Sequence, residues 1–260
     1  MLQNQLRAKL GNDQPVFGIG LTGPIEVPVL RVLGSASVEW VFLDMEHGSL
    51  DVNDLLSTVQ MNDALGISSV VRVPDLSYHW IARALDTGAL AVMVPRVETR
   101  EQAELAVQWS KFPPVGVRGM GSPSYLCYAP LSVADGIEIS NRESMVVLQI
   151  ESQRAVDQVD SIASVPGVDV LFVGPVDLSI SIGHPGEVDG AELQRCVGKV
   201  CHTARAHGLA TGIVCRADQT QLYYRMGIRM FSCGTALGYM RSGVEAAHVE
   251  FRRQVAQERA

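Results

Sequence analysis

Short apolar, β-branched runs return along this chain at intervals of roughly thirty residues, and the stretches between them carry apolar side chains at helical spacing. That alternation restricts the fold more than any other feature. Strands joined through helices pair in parallel, and a parallel sheet needs helices over its faces. The first run is Val16 to Leu21, followed by a Pro-opened helical segment from Pro24 to Leu33. Trp40 to Asp44 comes next, with a helix from about Val52 to Leu65 that stops at Gly66. Ser69 to Val73 leads into a helix ending at Gly88, and Ala91 to Val94 into one from Thr99 to Ser110. Thr99 and Gln102 have the spacing of a capping box.

From Pro113 to about Ser144 the rhythm breaks in a Gly- and Pro-rich stretch, which reads as a functional excursion above a scaffold. It resumes with Met145 to Glu151 and a helix to Val165. Further strands are expected at Val168 to Val173, Ala210 to Val214 and Arg229 to Ser232, with helices near Gly190 to His207, Asp218 to Met226 and Gly243 to the C-terminus. Eight strands and eight helices in this length predict an α/β fold of the closed (β/α)8 TIM barrel type, a single domain over residues 1–260. An open doubly wound sheet is the alternative, but no GxGxxG follows the first strand.

Composition narrows the partners. A net charge of −7 argues against nucleic acid, which requires a basic stripe. No apolar run approaches the roughly 20 residues of a membrane span, and the N-terminus has no signal-peptide pattern. A soluble, cytoplasmic protein is expected. The five cysteines, Cys127, Cys196, Cys201, Cys215 and Cys233, contain no CxxC and read as buried thiols.

In a barrel the chemistry sits at the C-terminal ends of the strands. Polar residues there are Asp44 and His47 with Glu46 after the second strand, Arg72 in the third, Gln149 and Glu151 at the fifth, and Asp177 past the sixth. Gln149 and Glu151, two apart, share the inner face. Glu151 and Asp177 make a pair of hard oxygen ligands suited to Mg2+ or Mn2+; alternatively each only caps the helical turn that follows it. His47 is either an exposed loop histidine or a base whose ring is oriented by Asp44. Arg72 is either an anion clamp or a structural ion pair with Glu46 or Asp44.

The chain has only three lysines, Lys9, Lys111 and Lys199, against eighteen arginines. None is placed at a strand end. Carbonyl chemistry here would therefore need a metal as electron sink instead of a Schiff base.

The runs Leu43 to Gly48, Val71 to Pro74, Val94 to Glu98, Pro113 to Gly119, Gln149 to Ser152 and Phe172 to Ser179 resemble, in order and spacing, the HpcH/HpaI family of class II, metal-dependent pyruvate aldolases. The resemblance implies a barrel that cleaves 4-hydroxy-2-oxo acids reversibly to pyruvate and an aldehyde. It implies Glu151 and Asp177 as ligands of a divalent cation, Mg2+ or Mn2+ first, with Co2+, Ni2+ and Zn2+ as further candidates. Arg72 would stabilise the enolate. His47, oriented by Asp44, would be the base. Gln149 would line the metal site, and the turn from Gly174 through Val176 to Asp177 would offer N–H groups to the pyruvate carboxylate. Asp86 would reach a neighbouring subunit's site. The implied assembly is a hexamer, a trimer of dimers that exchange their last helix.

Leu21 stands where several relatives carry a tryptophan, so Leu21, Ser124, Val214 and the loop from Gly119 to Tyr128 are candidates to line the aldehyde pocket. The Gln149 to Gln153 run leans toward keto-deoxy sugar-acid substrates over 4-hydroxy-2-oxo-dioates. Oxaloacetate decarboxylation, acyl-CoA lysis and a non-catalytic barrel that binds a 2-oxo acid are the competing readings.

Overall fold

In the computed structural model, which describes residues 3–23, 25–121, 126 and 128–258, eight parallel strands close on themselves in chain order. They are β1 (Val16–Leu21), β2 (Trp40–Asp44), β3 (Ser68–Arg72), β4 (Ala91–Val94), β5 (Met145–Ile150), β6 (Val170–Val173), β7 (Ala210–Cys215) and β8 (Met230–Thr235). Each pairs with the next, and β8 returns to β1. The predicted (β/α)8 barrel is the observed fold.

Side-chain alternation along the strands divides the apolar residues into two cores. Trp40, Phe42, Val70, Met93, Val147, Val170, Phe172 and Met230 point inward and fill the barrel. The rings of Trp40 and Phe172 meet edge to face at 6.2 Å, a favoured aromatic geometry. Gly18 makes room for this layer, because a Cβ there would lie 2.3 Å from the Trp40 ring. The outward residues, among them Ile19, Leu21, Val41, Leu43, Val71, Val92, Leu148, Leu171 and Ile213, pack under the helices.

That covering layer contains α2 (Val27–Ser35), α3 (Val52–Ala64), α4 (Tyr78–Asp86), α5 (Arg100–Ser110), α6 (Val133–Glu143), α7 (Gln153–Asp157), α8 (Val159–Ala163), α9 (Pro175–Ser181), α10 (Ala191–Ala206), α11 (Thr220–Met226) and α12 (Ala236–Gln257). The Thr99–Gln102 capping box opens α5 as expected. The single helix expected up to Val165 is two, divided at Gln158. The terminal helix starts at Ala236, well before Gly243, because Thr235 caps it by accepting from the Gly238 N–H at 3.0 Å.

A helix the sequence did not announce, α1 (Gln5–Gly11), puts Leu6 and Leu10 into the inner core and stoppers the N-terminal end of the barrel. The excursion after Lys111 joins a helix to the next strand, so it starts at that same N-terminal end and climbs along α4 to Tyr78, which opens that helix on the mouth side. Its described part packs on α4 through the Gly119 N–H to Tyr78 Oη bond (2.9 Å), and on α6 through the small apolar cluster of Phe112, Leu126, Ile137 and Ile139. Among the described residues no helix is long and apolar enough to cross a membrane.

Candidate active site

Strand register assembles the mouth of the barrel. Asp44 and Arg72 are partners on the last rung shared by β2 and β3, so both side chains turn inward side by side. Arg72 Nε donates to Asp44 Oδ1 at 3.0 Å and Nη2 to Oδ2 at 2.7 Å, a bidentate pair that is almost wholly buried. Arg72 Nη1 also stands 3.1 Å from Glu46 Oε2, and its guanidinium lies over the Phe42 ring. The structural ion pairs that Arg72 could form, with Asp44 or with Glu46, are both present. Burial alone would push the Asp44 carboxyl up, but its hydrogen bonds and charge interaction with Arg72, together with the backbone N–H groups of His47 and Glu46, hold it below its ordinary value.

Those two N–H groups also correct the expected role of Asp44. Its oxygens are taken by Arg72 and by the backbone of the turn, so it positions the main chain of His47 and not its ring. The imidazole stands exposed at the rim, with Nε2 3.7 Å from Glu46 Oε2.

Across the mouth, Gln149 is the inward residue near the end of β5 and Glu151 follows two positions on; both are buried. Glu151 Oε1 accepts the Arg96 N–H at 2.8 Å, while Glu151 Oε2 and Gln149 Oε1 have no hydrogen-bond partner. Burial first, and then the charges of Asp177 and Glu46, push the Glu151 carboxyl up to about 7, although the Arg96 N–H and Arg72 pull the other way. Gly174 is required beside them, since a Cβ there would lie 2.6 Å from Glu151 Oε2 and 3.1 Å from Gln149 Nε2. Gly174 donates its own N–H to Ile150 O. Of the expected N–H donors of this turn, those of Val176 and Asp177, in the first turn of α9, are the ones without an intrahelical acceptor. Gly174→Ala is expected to displace the Glu151 carboxylate and lower turnover by about a hundredfold with the circular dichroism spectrum retained.

Other expected residues lie elsewhere. Val214 is on the inner face of β7, partly exposed at the mouth. Leu21 is not a pocket residue: it is 1% exposed and packed in the outer core, since Gly18 and Gly20 take the inner positions of β1. Asp86 ends α4, away from its own barrel's mouth, and accepts from Arg118 Nη2 at 2.7 Å. Ser124 lies outside the described residues.

Two residues of the mouth were missed as site residues. Glu46 is shared by Arg72 and Arg96, and Arg96 joins β4 to both sides of the site. All three lysines are remote. Lys9 pairs with Glu39 and Lys199 lies near Asp157. Lys111 donates to Asn141 O and Ser144 Oγ at the closed end of the barrel, where burial brings it down to about 8. A Schiff base at the mouth has no amine to form it.

Residues 27–242 match the HpcH/HpaI aldolase/citrate lyase family. The chain belongs to that family. It is 35% identical to the 5-keto-4-deoxy-D-glucarate aldolase of Escherichia coli (strain K12) over 96% of this chain and 97% of that protein. An HpcH/HpaI aldolase/citrate lyase family protein from Burkholderia cenocepacia J2315 superposes with a TM-score of 0.89 at 31% identity, over 96% of this chain and all of that one. The HpcH/HpaI aldolase of Desulfitobacterium hafniense DCB-2 gives 0.89 at 26% identity, over 95% and 96%. Like its family, the protein is a carbon–carbon lyase of the aldolase type.

Proposed function

We propose that this aldolase cleaves a 4-hydroxy-2-oxo acid of the keto-deoxy sugar-acid type, reversibly, to pyruvate and an aldehyde, with a divalent cation held by Glu151 and Asp177. The observation that carries this reading is the orphaned, buried Glu151 Oε2 beside Asp177. Asp44 pairs with Arg72 and Glu46 with Arg96, whereas Glu151 and Asp177 have no cationic partner among the described residues. One dication matches that charge. No three His, Cys, Asp or Glu side chains are grouped as a metal site among the described residues, so two carboxylates would serve, with water and the 2-oxo acid completing the shell. When bound, the cation supplies Lewis-acid stabilisation of negative charge at the keto oxygen.

The chain's own groups do the rest. Arg72, fixed by Asp44, Glu46 and Phe42, donates to the keto oxygen and stabilises the enolate as it forms. His47 at the rim takes the proton from the C4 hydroxyl. The C3–C4 bond then breaks, the aldehyde leaves, and C3 of the enolate is protonated to give pyruvate. The open N–H groups of Val176 and Asp177 suit the pyruvate carboxylate, and Val214 borders the aldehyde side. In an assembly, Asp86 would complete a neighbour's site. The 22-residue helix α12 has no buried residue, and Leu237, Met240, Val244, Val249 and Phe251 are exposed along it. That surface suits dimers that exchange their last helices, three of which would make the hexamer.

The test is cleavage and condensation assayed with and without EDTA. Activity is expected to vanish with the chelator and return with Mg2+ or Mn2+, and borohydride added with pyruvate should trap no adduct. Turnover that survives EDTA would contradict the reading.

A further inference from the structure

We infer that Cys215 and Cys233 are a reversible redox site, a thiol pair at the mouth end of the barrel wall that closes to an internal disulfide when a hydroperoxide reaches it. The two are partners on the last rung shared by β7 and β8, and alternation turns both side chains outward, under the helices. Their sulfurs stand 3.9 Å apart. Adjacent strands hold such partners about 4.8 Å apart, inside the roughly 4.4–6.8 Å between Cα atoms that a disulfide spans. Side-chain rotation and a small approach of the two strand ends bring the sulfurs to the bonded distance of about 2.05 Å.

A shared proton separates this pair from thiols that only fill a core. In Cys196 and Cys201, on α10, burial pushes each thiol up. The hydrogen bond between the two sulfurs, with help from the Thr220 side chain at the start of α11, holds Cys233 below its ordinary value against its burial. The same bond and burial push Cys215 up. One proton therefore stays on Cys215, and Cys233 carries the thiolate, which is the form that peroxides oxidise. Each cysteine is followed at once by an exposed residue, Arg216 or Gly234, so both sulfurs lie one step below the surface. The Cys233 thiolate takes one oxygen of the peroxide: an S–O bond forms as the O–O bond breaks, and the released hydroxide or alkoxide takes a proton from solvent. Cys215 then attacks that sulfur. The S–S bond forms, the S–O bond breaks, and hydroxide leaves with the Cys215 proton as water. The two sulfurs lose two electrons, the peroxide gains them, and a dithiol returns them by exchange. Closure draws in the rung beside Val214, which borders the mouth, and beside Gly234 and Thr235, which lead into α12, and so lowers turnover.

The experiment treats the Mg2+-loaded enzyme with hydrogen peroxide, alkylates the free thiols and digests with trypsin. Cleavage at arginine leaves Cys215 as the one cysteine of peptide 206–216 and Cys233 as the one cysteine of peptide 230–241. Their linked species is expected after peroxide and is lost with dithiothreitol, with aldolase turnover reduced severalfold by oxidation and regained on reduction. Methionine oxidation would not be reversed by the dithiol. In Cys215→Ser, which keeps a hydrogen-bond donor beside Cys233, no link forms and dimedone labels Cys233 as its sulfenic acid; should that variant not fold, the native peptide map decides. Two peptides that stay unlinked after peroxide, or a link that leaves turnover unchanged, overturn the inference. The map needs no substrate, so it decides independently of the sugar-acid reading.

Discussion

Glu151→Gln removes metal-dependent turnover, lowering kcat by about a thousandfold or more, while the barrel stays folded. A Lewis acid contributes several kcal/mol to the transition state, and each 1.4 kcal/mol is about tenfold in rate. Glutamine preserves the side-chain volume and can still accept the Arg96 N–H that holds Glu151 Oε1. It loses the charge that, together with Asp177, would hold the cation. The stability of the variant distinguishes this from a folding defect. Glu151 is buried with one oxygen unpaired, so neutralising it should leave the metal-free melting temperature unchanged or raised. The melting temperature of the native protein should rise with Mn2+, and that of the variant should not. A folded variant that retains its response to Mn2+ would show that Glu151 is not the ligand.

Arg72→Met damages both activity and fold, and the two losses can be separated. It leaves the buried Asp44 carboxylate without its partner, which costs about 3–5 kcal/mol and on the order of 10 °C in melting temperature for a chain of this size. It also deletes the donor to the enolate oxygen. The double variant Arg72→Met/Asp44→Leu removes both charges and should recover much of the stability, since Glu46 still has Arg96, while turnover stays absent. The pH dependence has a definite sign. Arg72 holds Asp44 below its ordinary value, so the contribution of the pair is present above the unfolded pKa of about 4 and is lost as pH falls through the lower folded value. Urea unfolding should therefore find the largest difference between native and Arg72→Met proteins at neutral pH and a smaller one as pH falls, because burial without Arg72 raises Asp44 in the variant and lets it take up a proton first. Recovery of turnover in the double variant would contradict the role of Arg72.

The barrel was legible because parallel strands buried on both faces read as unbroken apolar runs, and eight of them in this length leave little choice of fold. Asp44, Arg72, Gln149 and Glu151 were legible as polar residues interrupting those runs at their ends. Leu21 was a pocket candidate only through the tryptophan that relatives carry in its place, and the parity of its own strand says otherwise. Gly18 and Gly20 mark the inner face of β1, and one step of alternation turns Leu21 outward. The pairing of Asp44 with Arg72, instead of with the His47 ring, depends on the β2–β3 register, which no local pattern displays. Arg96 was hidden by its backbone, since a left-handed residue after Pro95 follows no period. Its one visible signal was its place, just past the strand that neighbours those of Arg72 and Glu151.

The central claim is that this mouth forms the enolate of pyruvate with a divalent cation, independent of any aldehyde. Exchange of the pyruvate methyl protons in D2O, followed by proton NMR with the native enzyme, measures that step alone. Loss of the methyl signal with Mg2+ or Mn2+, abolished by EDTA and by Glu151→Gln, is the result expected. A methyl signal that persists with every divalent cation, or that exchanges equally well in EDTA, would contradict it.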